Sequence, residues 1–153
     1  MKYVLLHDIR SVHNVGSIFR TADGAGISKI YLSGCSPTPL DRFGQPRKDF
    51  IKVSLGAEKS VAWEYIDDPI KLIKDLKKEV KIVAVEQDEK SLSYLELKDK
   101  IKNSSTLYIF GNEVGGVPKD ILKYADYIAE IPMKGDKESL NVSVTAGIIL
   151  FSL

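Results

Sequence analysis

Short apolar runs recur along this chain, and stretches with helical spacing separate them. Tyr3–Leu6, Lys29–Leu32, Lys81–Val85, Leu107–Phe110 and Tyr127–Ile131 read as strands. Several are apolar on both faces, the pattern of a parallel sheet covered by helices on its two sides. Val61–Tyr65 is a weaker strand candidate. Between the runs, Val15, Ile18, Phe19, Ala22 and Ala25 keep helical spacing, and Gly26 stands where such a helix would end. Asp68-Pro69 is a cap followed by a first-turn proline, with Ile73, Leu76 and Val80 continuing the stripe. Pro118 opens a short helix through Ile121, Leu122 and Ala125, and Leu140–Leu153 is helical and apolar nearly all round. This order predicts an α/β layered fold with a mostly parallel sheet flanked by helices. Ser33–Asp49 breaks the rhythm with three prolines, two glycines and no period. A connection that long in a compact domain is either functional or a tolerated surface insertion.

At 153 residues, with no internal repeat and no linker, the sequence predicts one domain over residues 1–153, without a separate extension. A chain of this size buries about 70% of its unfolded surface, enough for a core without staples. The single cysteine, Cys35, forms no internal disulfide and reads as a small packed residue. No apolar run approaches the length of a membrane span or a signal-peptide core, so a soluble, cytoplasmic protein is expected. Lys plus Arg is 22 and Asp plus Glu is 21, a net charge of +1. That balance excludes a strongly basic nucleic-acid binder but leaves room for a local basic patch.

In parallel sheets ligands bind beyond the carboxyl ends of the strands, so the loops there are inspected first. Gly111-Asn112-Glu113-Val114-Gly115-Gly116-Val117-Pro118 follows one strand. Its glycines let backbone approach a ligand, but the spacing fits neither a phosphate-binding loop nor a dinucleotide fingerprint. Glu113 would repel a phosphate; a ligand offering hydroxyls, an amine or a cation suits it better. After Ile131, Ser139 reads as the cap of the last helix and Asn141 as a residue of its first turn. After the first strand, Asn14 reads as a helix cap, with Arg20 off the apolar stripe. His7 and His13 have no partners at metal-ligand spacing, so no metal is expected. Ser17 and Ser139 lack the nucleophile-elbow pattern.

Taken together, three segments resemble the SpoU/TrmH family of RNA ribose methyltransferases, of the SPOUT superfamily. Asn14-Val15-Gly16-Ser17-Ile18-Phe19-Arg20-Thr21-Ala22 looks like its first motif, N-x-G-x-x-x-R-x-A. Gly111-Asn112-Glu113-Val114-Gly115-Gly116 resembles the second, and Ile131-Pro132-Met133 with Ser139-Leu140-Asn141-Val142-Ser143 the third. Lys52-Val53-Ser54-Leu55-Gly56-Ala57 matches a weaker family stretch between them.

The resemblance implies a SPOUT fold with a C-terminal trefoil knot, bound S-adenosylmethionine, a homodimer, and methyl transfer to a ribose 2′-hydroxyl of transfer or ribosomal RNA. Carried over by motif, Arg20, Asn14, Glu113, Ser139 and Asn141 would form the catalytic constellation. Val85, Gly111, Asn112, Gly116, Ile131, Met133, Ser139 and Leu140 would line the donor pocket. The chemistry agrees with these residue types. A ribose hydroxyl is too weak an acid to attack unaided, and a guanidinium stabilises the developing charge. Arg10, Arg42, Arg47 and Lys48 are the candidate RNA contacts. A SPOUT-fold module that only binds RNA or a partner has no chemical use for all of these polar residues. A nucleotide-binding oxidoreductase lacks its fingerprint.

Overall fold

The structure is a computed structural model describing Met1–Leu153. Its elements, in chain order, are β1 (Lys2–His7), α1 (Val12–Gly24), β2 (Lys29–Ser33), α2 (Lys48–Ser54), α3 (Ala57–Ser60) and β3 (Ala62–Ile66). There follow α4 (Pro69–Leu76), β4 (Lys81–Val85), β5 (Leu92–Ser93) and α5 (Tyr94–Ile101). The chain closes with β6 (Thr106–Phe110), α6 (Lys119–Leu122), β7 (Tyr127–Glu130) and α7 (Val142–Ser152). The strands form one 7-stranded sheet in the order β3-β2-β1-β6-β4-β7-β5. Every pairing is parallel.

Side chains alternate across a strand, and here the alternation sorts residues into two cores. Val4, Leu6, Val83, Tyr108 and Phe110 point to the face covered by α1, α2, α5 and α7. Leu5, Ile82, Leu107 and Ile109 point to the opposite face, where they meet Ile73 of α4 and Ile121 of α6. Burying one such aliphatic side chain contributes about 1.5–3 kcal/mol, so a sheet apolar on both faces is held only when both are covered. This is the layered arrangement expected from the runs.

Two cap assignments are corrected. Asn14 does not cap α1: Ser11 does, its hydroxyl accepting from the Asn14 N–H. Ser139 does not cap α7: Asn141 does, its side chain accepting from the Ser143 N–H. In each case the residue with extended backbone immediately before the helix takes the cap. The first correction frees the Asn14 amide for other partners. The long Ser33–Asp49 connection also ends sooner than its composition suggests, since Lys48 already begins α2. Gly26, at φ +70°, stands just past α1 as expected. Cys35 is exposed rather than packed, because its N–H is held by the Asp8 carboxylate on a surface turn.

Candidate active site

The loops after β4, β6 and β7 meet at the carboxyl edge of the sheet. They enclose a cavity of about 510 Å³, within the range of small-molecule sites. Val85, Gly111, Asn112, Gly116, Ile131, Met133, Ser139 and Leu140, the residues expected around the donor, all line it.

The loop after β6 is shaped by its own polar groups. Asn112 exchanges backbone bonds with Gly116, and its Oδ1 accepts from the N–H groups of Val114 and Gly115. Its Nδ2 donates to the Asp8 carbonyl, tying the loop to the end of β1. A Cβ on Gly111 would lie 2.3 Å from the Gly116 carbonyl, so only glycine closes this turn. Gly116 sits at φ +67°, where a Cβ would lie 2.0 Å from a Glu86 carboxylate oxygen.

Glu86 was not foreseen. It directly follows β4; one carboxylate oxygen accepts from the Val117 N–H at 2.8 Å and the other from its neighbour Gln87. It therefore seats the glycine-rich loop from the adjacent strand. The signal for it is a carboxylate placed directly after the apolar run Ile82–Val85.

Three distant motif residues come together beside the cavity. Asn14, only 7% exposed, donates from Nδ2 to Glu113 Oε1 at 3.3 Å. Its Oδ1 accepts from Asn141 Nδ2 at 3.2 Å. Asn141 in turn accepts from the backbone and hydroxyl of Ser143. The helix cap of α7 and the start of α1 are thus joined through one amide. Ser139 lines the cavity but takes no part in this chain of bonds.

Arg20 stands apart. It is exposed and lines a separate groove between α1 and α2 with His13, Ser17 and Lys52. Six residues along a helix place it about 9 Å and roughly 240° around from Asn14, which accounts for the separation within one chain. Arg10, Arg42 and Lys48 are exposed, while Arg47 is paired with Asp49 at 2.8 Å.

The cavity has a distinct electrostatic character. Glu86, Glu113, Glu130 and Glu138 are among its 19 lining residues, and no Lys, Arg or His is. Beside it, the Cys35 N–H donated to Asp8 holds that carboxyl below the ordinary range, assisted by His7 and opposed by burial. His7 also meets the Ser33 hydroxyl at 2.8 Å, but Ser33 is completely buried and no substrate can reach it. An acidic cavity with apolar patches suits a cationic or hydroxyl-bearing ligand and repels a phosphate.

Comparison with known proteins extends these findings. The SpoU rRNA Methylase family matches residues 1–151. The chain is 33% identical over 149 residues to the tRNA (guanosine(18)-2'-O)-methyltransferase of Aquifex aeolicus, covering 97% of this chain and 66% of that protein. It is 29% identical to the 23S rRNA (guanosine-2'-O-)-methyltransferase RlmB of Neisseria meningitidis, covering 96% and 55% respectively. The chain thus spans between about half and two thirds of the length of these curated relatives. Among solved structures, the AdoMet-bound rRNA methyltransferase from Sinorhizobium meliloti superimposes with a TM-score of 0.85 at 27% identity, over 99% of this chain and 54% of that one. The A. aeolicus TrmH/SpoU tRNA modifying enzyme gives 0.84 at 29% identity, over 99% and 72%. With Asn14, Glu113 and Asn141 joined at one end of a parallel sheet, and a match running almost from end to end, this chain belongs to the SpoU rRNA methylase family.

Proposed function

We propose that this protein transfers a methyl group from S-adenosylmethionine to a ribose 2′-hydroxyl of transfer or ribosomal RNA. The observation that carries the reading is the Glu113–Asn14–Asn141 chain of bonds on the rim of a cavity that holds carboxylates and no cation. The group expected there supplies an electrophilic methyl on a positively charged sulfur. Glu113 and Glu86 offer the negative field that such a ligand needs, while Val85, Ile131 and Leu140 offer apolar walls for a base. Asn14 fixes the Glu113 carboxylate and the start of α7 in one geometry. No residue of the cavity is a strong base, so the acceptor hydroxyl needs a cation opposite its developing charge.

Arg20 is our candidate for that cation, acting as electrostatic stabiliser. Because it lies outside its own chain's cavity, a second copy must bring its Arg20 guanidinium to the acceptor. A homodimer supplies one, and α7 supports it. This helix is apolar nearly all round, with Val144 50% and Phe151 65% exposed. We further assign the trefoil knot to the segment after β7. The order β6-β4-β7 and the Gln87 Nε2 bond to the Glu138 carbonyl favour that threading. Arg10, Arg42, Arg47 and Lys48 are assigned to RNA phosphates. No helix is long and apolar enough to cross a membrane, in keeping with work on cytoplasmic RNA.

The test is to incubate the purified protein with bulk transfer and ribosomal RNA and methyl-labelled donor, then digest to nucleosides. Label in 2′-O-methyl nucleosides is expected. Tight donor binding with no transfer to either RNA would instead favour a binding module.

A further inference from the structure

The Ser33–Asp49 connection has no place in the donor cavity, yet it is tightly built. The Asp41 carboxylate accepts from the N–H groups of Phe43 and Gln45 at 2.8 and 2.9 Å. Leu40 and Pro46 pair as a short antiparallel bridge, and the Arg47 N–H returns to the Pro39 carbonyl. Gly44 takes the φ of +75° that the tip requires. The result is a small stapled hairpin rather than a loose insertion.

At its tip stands Phe43, 73% exposed, whereas Phe19 and Phe50 are fully buried. The Arg42 guanidinium lies over the Phe43 ring, 4.7 Å from its centre. An aromatic ring on a preorganised turn, flanked by cations, has the composition of a stacking platform for single-stranded nucleic acid. The turn is ordered in advance, so little conformational entropy is lost when a ligand stacks on it. Its position also fits. The hairpin leaves the carboxyl end of β2, and β2 is separated from β6 only by β1, about 10 Å along the edge that carries the cavity.

We propose that Phe43 is a stacking site for a nucleobase of the RNA substrate, a base flanking the nucleotide presented to the cavity. Arg42 covers the ring and Lys48 follows the adjoining phosphate. Stacking a neighbour here helps to splay out a ribose that a base-stacked strand would keep hidden. This inference rests on the RNA-methylation reading given above.

Stacking and ionic contacts respond differently to salt. Loss of a ring lowers affinity by a constant factor, while loss of a phosphate contact flattens the slope of log K against log salt. The experiment titrates wild type, Phe43→Ala and Phe43→Trp with a single-stranded oligouridylate and with bulk transfer RNA, at several salt concentrations. Phe43→Ala should bind about tenfold more weakly at every salt concentration with the slope unchanged. Phe43→Trp should keep wild-type affinity, and its added fluorescence, above the Trp63 background, should quench on titration. Equal affinity of wild type and Phe43→Ala overturns the proposal. So does a loss confined to low salt, or a fall in mass by light scattering, which would place Phe43 in a protein interface. If those results accompany normal methyl transfer by wild type, only the stacking site fails. If wild type neither binds nor methylates RNA, the methylation reading fails with it.

Discussion

Asn14 has both halves of its amide engaged by residues from remote parts of the chain, and nothing else bridges Glu113 to Asn141. Asn14→Ala should therefore leave Glu113 and the start of α7 unaligned. We expect methyl transfer to fall about a hundredfold in single-turnover assays, with donor affinity in calorimetry altered only a few-fold. Arg20→Ala should abolish transfer with equally little effect on the donor, because Arg20 does not line the cavity. A different result is expected at Gly111, where a methyl group would meet backbone at 2.3 Å with nothing flexible to yield. Gly111→Ala should destabilise the fold by about 1–3 kcal/mol in denaturant titrations and abolish donor binding. At Gly26 nothing lies within 4 Å of an added Cβ. Gly26→Ala should thus cost only about 1 kcal/mol, from its positive φ, and leave donor binding intact.

The elements explain which parts of this structure were legible in the sequence. β4 carries the expected bounds, Lys81–Val85, because its middle residues Ile82, Val83 and Ala84 are apolar and buried on both faces. α5 escaped notice although Ser93 and Glu96 form a capping box, since charged residues interrupt its short stripe. β5 has two residues at the sheet edge, too few for any period. α2 and α3 were hidden because few of their residues are buried. The convergence of Asn14, Glu113 and Asn141 was legible only as motifs; their hydrogen bonds depend on Ser11, not Asn14, capping α1, a choice that local composition leaves open. Within β6, Tyr108 is 1% exposed, and burial pushes its pKa up to about 12 against the opposing bond to Thr106. The unfolded chain ionises near pH 10, so this contribution is whole below pH 10 and is lost as pH climbs through 12. Stability should drop by roughly 2 kcal/mol across that interval in alkaline denaturant titrations, and Tyr108→Phe should flatten the fall.

For the molecule as a whole, the exposed apolar side of α7 is the testable feature. Val144 is 50% exposed and is not part of the buried core, so a charge there is tolerated by the isolated fold. Val144→Asp should halve the mass in light scattering, leave circular dichroism unchanged and cut methyl transfer at least about tenfold. A variant that keeps its mass and its activity would remove the dimer from the account.

The sheet places β1 against β6, pairing Lys2 with Thr106. During synthesis β1 therefore finds this neighbour only after about a hundred further residues, some 5–20 seconds later at ordinary translation rates. Until then the backbone donors and acceptors along that edge must be shielded or left waiting, and non-local parallel pairing of this kind is slow to nucleate. Production of this protein should accordingly be more sensitive to elongation speed and chaperone supply than its small size suggests.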